Sequence, residues 1–228
     1  MPDWIEADAY LFDIDGTLLN AHGGTHMNAF HVAIEQILGL QGTIHGLPVH
    51  GNTDIGILRA FVRRANYPES DFESRLPQLL ELMCLEVERN RAQMRAVVCP
   101  SVPDLIGLLA SRDKLLGVAS GNLASIGWLK IEAAGLREFF SFGSFSDRFE
   151  LRAEIFRAGA EEARRRLGTA ATVCVVGDTP SDIQAAREVG IQVIAVATGI
   201  FPLDELQRLA PDLCLLSCTD LLALAPGR

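Results

Sequence analysis

The chain is poor in positive charge and has no long apolar run, and each shortage excludes a class of partner or location. Lysine and arginine together number 20 against 29 aspartates and glutamates, which gives a formal net charge of −9. An acidic surface repels nucleic acid and anionic membranes, so we expect neither as a partner. No apolar run reaches the roughly 20 residues of a membrane-spanning helix. The N-terminus lacks a basic start followed by an apolar segment, so we expect a cytoplasmic protein without a signal peptide.

Cysteine is present, but its pattern predicts neither disulfides nor a zinc site. The five cysteines are an odd number scattered through apolar surroundings, which favours reduced core thiols. Cys214 and Cys218 are four residues apart, but no second pair or nearby histidine completes a zinc site. The 228 residues are 49% hydrophobic. That content is ample for one large domain or for a core domain with an insert.

The stretch from Tyr10 to Leu19 is the most informative part of the chain. An apolar run leads to Asp13 and Asp15 and then breaks at Gly16. In a strand, alternate side chains share a face, so both carboxylates lie on one side at the strand end, where open α/β sheets bind ligands. Two carboxylates this close need a cation between them or a proton on one, and Mg²⁺ is the expected cation. An ordinary strand that ends in an Asp-Gly turn would explain the same residues without a function.

Helical periodicity dominates the next part of the chain. Apolar residues recur at helix spacing in three runs, the third of which we expect to start near Pro77. We therefore predict a helical insert at residues 21–94, between core segments 1–20 and 95–228. The chain crosses this border near Leu19–Thr25 and Arg95–Pro100, and the glycines at the first crossing suit a hinge.

Strands and helices alternate through the rest of the chain. Short apolar runs at 115–119, 173–176 and 193–196 are separated by helical patterns. This alternation predicts a parallel sheet covered by helices on both faces, an α/β fold of Rossmann-like type. Polar residues follow two of these strands, as Ser120-Gly121-Asn122 and as the segment from Gly177 to Asp182.

The ordered set of motifs closely resembles the haloacid dehalogenase superfamily of phosphohydrolases. D-x-D-G-T, a strand-end serine and G-D-T-P-x-D occur in that order, each after an apolar strand. The resemblance covers the chain apart from the insert's own sequence, and it is to the branch that includes phosphoglycolate phosphatase. It implies a Rossmann-like core with a mobile helical cap, and Mg²⁺-dependent hydrolysis of a small phosphorylated metabolite through an aspartyl phosphate.

The same resemblance implies a role for each motif residue. Asp13 would attack phosphorus, and Asp15 would protonate the leaving oxygen and later deprotonate the attacking water. Mg²⁺ would be held by Asp13, Asp178 and the position of Asp15, which contributes its backbone carbonyl. The phosphoryl group would be bound at Ser120, Gly121, Asn122, Gly16 and Thr17.

Two of these positions also have a purely structural explanation. Ser120 and Asn122 suit a helix cap, and a cap leaves N–H groups pointing the same way. Asp182 follows Thr179 by three residues, which is the spacing of a helix N-terminus with its cap. For Asp182 we favour the role that the resemblance implies, a carboxylate that steadies the water ligands of the metal.

The chain departs from the family pattern in its lysines. The family normally places a lysine near the phosphate, before the helix that precedes the G-D strand, but Lys114 and Lys130 are the only lysines here and neither is at that position. Arg148 and Arg152 are the available replacements, since arginine keeps the charge and offers a planar fork to phosphate. We predict Arg148, with Asp147 orienting its guanidinium.

Four alternatives to a phosphatase share this fold. Phosphonate-cleaving and sugar-phosphate mutase relatives use a cap lysine, and residues 21–94 contain none. Haloacid dehalogenases lack the second aspartate, which is present as Asp15. A catalytically silent binding or regulatory protein with this fold is the alternative from another class. The sequence names neither the substrate nor the oligomeric state, although the loop from Gly46 to Asp54 is expected to reach the site.

Overall fold

The structure, a computed structural model, describes residues 4–225. Strands and helices alternate along most of the chain, and the helices between β2 and β3 follow one another without a strand. The strands are β1 (Ala9–Phe12), β2 (Leu19–His22), β3 (Arg95–Val98), β4 (Leu115–Ala119), β5 (Phe142–Ser144), β6 (Val173–Gly177), β7 (Gln192–Val196) and β8 (Leu213–Leu215). The helices are α1 (Thr25–Ala33), α2 (Asp54–Arg64), α3 (Glu69–Arg89), α4 (Val102–Ser111), α5 (Ala124–Ala133), α6 (Arg152–Leu167), α7 (Pro180–Val189), α8 (Leu203–Arg208) and α9 (Cys218–Ala223).

Six strands form one parallel sheet in the order β5-β4-β1-β6-β7-β8. Strand β1 is fully buried because both of its faces carry apolar side chains. Tyr10 and Phe12 pack with α4 and α9 on one face, while Ala9 and Leu11 pack with α6 and α7 on the other. The prediction of a Rossmann-like parallel sheet with helices on both faces is confirmed.

Helices α1, α2 and α3 pack around an apolar cluster that is separate from the two faces of the sheet. Its fully buried members include Leu58, Phe72 and Leu79, and it extends to Leu123 and Ile126 of the core. Both chain crossings lie together, because β2 and β3 pair antiparallel with Leu19 opposite Val98. The sequence pattern predicted the two crossings but not their pairing.

Helix α3 begins earlier than the sequence pattern predicted. We expected a start near Pro77, but the helix begins at Glu69 and continues through the proline. A proline inside a helix removes one backbone hydrogen bond. The apolar stripe offsets that loss, since Phe72, Leu79, Met83 and Val87 are all fully buried.

All five cysteines are free thiols. In the part of the chain that the structure describes, no helix combines the length and the apolarity needed to cross a membrane.

Candidate active site

The carboxyl ends of three neighbouring strands bring the predicted motifs together. Asp13 follows β1, Ser120 follows β4 on one side, and Asp178 follows β6 on the other. All three are at least nine-tenths buried, because the strands deliver them beneath the helices of the insert. They line a cavity of about 430 Å³ between the sheet edge and the insert.

Asp13, Asp178 and Asp182 each offer a carboxylate oxygen, and these oxygens all lie within 4.8 Å of one another. Burial, followed by the charge of Asp13, raises the pKa of Asp178 to about 8. Burial likewise raises the pKa of Asp13 to about 6, against the opposing effect of the Arg152 guanidinium. Burial therefore outweighs the Arg152 charge at both carboxylates. An oxygen-lined, electron-rich pocket of this kind fits a hard divalent cation such as Mg²⁺.

Two glycines allow Asp178 to sit where it does. A Cβ on Gly16 would lie 2.3 Å from Asp178 Oδ2, and a Cβ on Gly199 would lie 1.8 Å from the same atom. Gly16 also adopts a φ of +86°, a backbone conformation that residues other than glycine rarely adopt. Thr17 Oγ1 donates to Asp178 Oδ1 at 2.9 Å, so one oxygen is bound by the D-x-D-G-T turn. Gly16 and Thr17 therefore shape the carboxylate cluster.

Asp182 is fully buried and both of its oxygens already have partners. Oδ2 accepts from the Thr179 N–H at 2.9 Å and from its hydroxyl at 2.7 Å, as part of a capping box at the start of α7. Oδ1 accepts from Arg152 Nε at 2.7 Å. The Asp182 carboxylate therefore both caps helix α7 and belongs to the carboxylate cluster of the site. With both oxygens occupied, Asp182 is better suited to hold Arg152 than to bind a cation directly.

Arg152 occupies the position that we predicted for Arg148. The Arg152 guanidinium is buried, with Nη2 lying 3.0 Å from Asp13 Oδ1 and 2.7 Å from Asp182 Oδ1. Nη2 lies close to both carboxylates but forms no well-aligned hydrogen bond within residues 4–225.

The placement of Arg148 in the site was wrong. Its side chain is exposed and is absent from the cavity lining. Asp147 does not orient it, because the Asp147 carboxylate accepts the Ala124 N–H at 2.8 Å and caps α5.

Asp15 has a partner that the sequence analysis missed. Lys130, only 3% exposed, donates from Nζ to Asp15 Oδ2 at 2.6 Å and to Asn122 Oδ1 at 2.7 Å. Asn122 Nδ2 donates to the same Asp15 oxygen at 2.9 Å and to Ser120 Oγ at 2.9 Å. Although burial acts in the opposite direction, the Lys130 ammonium and these hydrogen bonds hold the pKa of Asp15 below its usual range.

The loop that leads into α2 lies directly on the core. The Asp54 N–H donates to Gly121 O at 2.8 Å, and Asp54 Oδ2 accepts from the Leu123 N–H at 2.8 Å. A Cβ on Gly121 would lie 2.2 Å from Asn52 O, so only glycine permits this approach. The helix-cap explanation for Ser120 and Asn122 is not supported, since α5 has no side-chain cap at its N-cap residue, Leu123. The N–H groups of Leu123 and Ala124 bind Asp54 and Asp147 instead.

The insert side of the cavity carries both polar side chains, among them His22, His26 and His50, and an apolar group that we call the outer pocket. Asp54 lies beside this group. The Oδ2 atom of Asp54 lies 3.2 Å from His26 Nε2. Among the described residues that line the cavity, the only lysine and arginine are Lys130 and Arg152, both already paired with aspartates of the core. The outer pocket is formed by Phe30, Ile44, Val49, Ile57 and Met94.

A family model described as haloacid dehalogenase-like hydrolase matches residues 7–190, which is more than half of the chain. The chain belongs to the haloacid dehalogenase-like hydrolase family. The resemblance drawn from the three motifs is therefore confirmed, and so is the prediction of an enzyme.

Two curated relatives are phosphatases by name. A probable phosphatase IndB of Dickeya dadantii is 27% identical over 207 residues, which cover 88% of this chain and 86% of the relative. A phosphoglycolate phosphatase of Synechococcus elongatus is 33% identical over 128 residues, covering 54% of this chain and 57% of the relative.

Among solved structures, CbbY of Rhodobacter sphaeroides in complex with phosphate superposes with a TM-score of 0.72 at 20% identity. The alignment covers 97% of this chain and 100% of that one, and it shows a shared fold.

Proposed function

We propose that the protein is a Mg²⁺-dependent phosphatase that hydrolyses a small phosphorylated metabolite through an aspartyl phosphate on Asp13. One curated relative is named a probable phosphatase and the other a phosphoglycolate phosphatase, and the family is one of hydrolases. The observation that carries the proposal is the convergence of Asp13, Asp178 and Arg152 at the floor of one cavity.

The residues around this floor fit a magnesium ion. Asp13 and Asp178 would supply carboxylate oxygens, and the Asp15 position would supply its backbone carbonyl. When bound, Mg²⁺ neutralises charge on the transferring phosphoryl group. A cation between Asp13 and Asp178 would also oppose the burial that raises both pKa values, which would keep Asp13 ionised as a nucleophile.

In the first step, a carboxylate oxygen of Asp13 attacks phosphorus while the ester P–O bond breaks. The protonated form of Asp15, which is the minor form while its pKa is lowered, gives its proton to the leaving oxygen, and the alcohol departs. Arg152, which lies 3.0 Å from Asp13, would place its positive charge beside a phosphoryl oxygen, and Ser120 with the N–H groups of Gly121 and Asn122 would bind the other oxygens. In the second step, water attacks phosphorus, Asp15 takes the water proton, and the bond to Asp13 breaks to release inorganic phosphate.

We also propose that residues 21–94 act as a cap on a core formed by 1–20 and 95–228. The separate apolar cluster of α1, α2 and α3 supports this division, and so does the paired hairpin of β2 and β3 at the border. The contacts of Asp54 and Asn52 with the core describe a closed arrangement. Closure would exclude bulk water during phosphoryl transfer, and opening would admit substrate.

The experiment that tests the proposal is hydrolysis of p-nitrophenyl phosphate with and without Mg²⁺. We expect turnover that requires the metal and that is abolished by Asp13→Asn. Asp104→Asn, which alters an exposed carboxylate on α4, is the matched control and should leave turnover unchanged. Absence of turnover on this ester and on a panel of phosphorylated metabolites would favour the catalytically silent alternative.

A further inference from the structure

Lys130 is the buried charge whose purpose the family motifs do not explain. It lies on α5, eight residues after Asn122, so the helix turns it back toward the same edge of the sheet. Burial of an ammonium group is costly unless it is paired and hydrogen-bonded. Asp15 and Asn122 satisfy it at 2.6 and 2.7 Å, respectively.

The two carboxylate oxygens of Asp15 differ in the number of hydrogen bonds that they accept. Lys130 Nζ and Asn122 Nδ2 both donate to Oδ2, at 2.6 and 2.9 Å. Within residues 4–225, Oδ1 receives no hydrogen bond. The Asp15 side chain remains 43% exposed beside the cavity, whereas the side chain of Lys130 is only 3% exposed. One carboxylate oxygen is therefore fixed from the protein interior while the other stays available.

We propose that Lys130 is a positioning residue that holds Asp15 by Oδ2, so that Oδ1 exchanges protons with the leaving oxygen and then with water. This inference rests on the proposed phosphatase function. Asn122 completes the arrangement, because it accepts from Lys130 and donates to both Asp15 and Ser120. The side-chain amide of Asn122 thereby connects Asp15, the proposed general acid, with Ser120, the proposed phosphoryl-binding serine.

A positioning role and a purely structural role differ in how they depend on the leaving group. An alkyl phosphate expels a strongly basic alkoxide and needs the proton of Asp15, whereas p-nitrophenolate leaves without one. General acid catalysis contributes on the order of 10²–10⁴-fold. A structural defect would slow both esters alike, but a misplaced acid would slow the alkyl ester far more.

The test compares Lys130→Met with wild type on 2-hydroxyethyl phosphate and p-nitrophenyl phosphate. For the alkyl ester we expect kcat/KM to fall about 100-fold or more, within the range for loss of an acid. For the nitrophenyl ester we expect kcat/KM to fall at most several-fold. We also expect a burst of nitrophenolate, because water attack on the phosphoryl-enzyme still needs Asp15 as base. Lys114→Met, at the opposite end of β4, is the matched control and should resemble wild type.

A double-mutant cycle with Asp15→Asn makes the assignment specific. If Lys130 acts through Asp15, adding Lys130→Met to Asp15→Asn should cost little further activity on the alkyl ester. Equal losses of kcat/KM on both esters, or fully additive losses of kcat/KM in the double-mutant cycle, would overturn the inference. Should Lys130→Met fail to fold, Lys130→Arg serves instead, with a smaller loss that still falls mainly on the alkyl ester. If the wild-type protein hydrolyses neither of these esters nor any member of the metabolite panel, the proposed function itself fails.

Discussion

Removal of Arg152 should destabilise the protein and inactivate it, whereas removal of Arg148 should do neither. The Arg152 side chain is 7% exposed and contacts Asp13 and Asp182, whose side chains are 6% and 0% exposed. Arg152→Ala would leave two buried carboxylates without their cation. Arg148→Ala would remove an exposed side chain that lies outside the cavity lining.

The expected magnitudes follow from this difference in burial. Loss of one partner from a buried ion pair typically costs about 3–5 kcal/mol, so we expect the free energy of unfolding of Arg152→Ala to fall by roughly that amount at neutral pH without metal. Protonation of Asp13 limits the loss, because its pKa is already raised to about 6. Exposed substitutions usually stay within about 0.5 kcal/mol, which is the expectation for Arg148→Ala.

Urea unfolding of both variants and of Arg152→Lys, together with kcat/KM on p-nitrophenyl phosphate, measures the two effects. Arg152→Lys should recover part of the stability, because it restores the charge without the planar fork. For Arg152→Ala we expect kcat/KM to fall by orders of magnitude. A stable, active Arg152→Ala beside a damaged Arg148→Ala would refute the reasoning.

Three further outcomes are expected. The folded state raises the pKa of Asp13 to about 6 and of Asp178 to about 8, so the metal-free folded protein binds more protons than the unfolded chain. Its free energy of unfolding should therefore fall as pH rises from about 4 to 8. Urea titrations should show this slope, and Mg²⁺ should flatten it. Gly121→Ala should weaken cap closure and raise KM, since its Cβ would lie 2.2 Å from Asn52 O, whereas Gly107→Ala, with open space around it, should leave KM unchanged. Asp54 lies on the insert side, and the only lysine and arginine among the described lining residues are paired with aspartates, so phosphoglycolamide should be a better substrate than phosphoglycolate; a preference for the carboxylate in kcat/KM would contradict that reasoning.

The strand-end carboxylates were predictable because they depend on local pattern. An apolar strand followed by D-x-D-G-T places Asp13 and Asp15 at a sheet edge whatever the remaining chain does. The parallel order of strands then brings Asp178 beside Asp13. Their roles in catalysis remain predictions that the experiments above address.

The cations were harder to place because their positions depend on helix starts and tertiary packing. Arg152 is the first residue of α6, and its guanidinium reaches the carboxylates from the helix start itself, whereas the sequence prediction of Arg148 placed the cation upstream of the helix. Lys130 lies among the buried positions of α5, beside Ile126 and Ile131. A lone lysine on an apolar helix face was the available signal, since such a charge needs a buried partner.

The central claim is that Asp13 becomes phosphorylated during turnover. The most direct measurement is acid quenching of the Mg²⁺-loaded enzyme during turnover, reduction of acyl phosphates with borohydride, and mass spectrometry of the resulting peptides. We predict homoserine at position 13 in place of aspartate, dependent on substrate and absent from Asp13→Asn. A modified residue elsewhere, or rapid turnover by Asp13→Asn, would contradict the account.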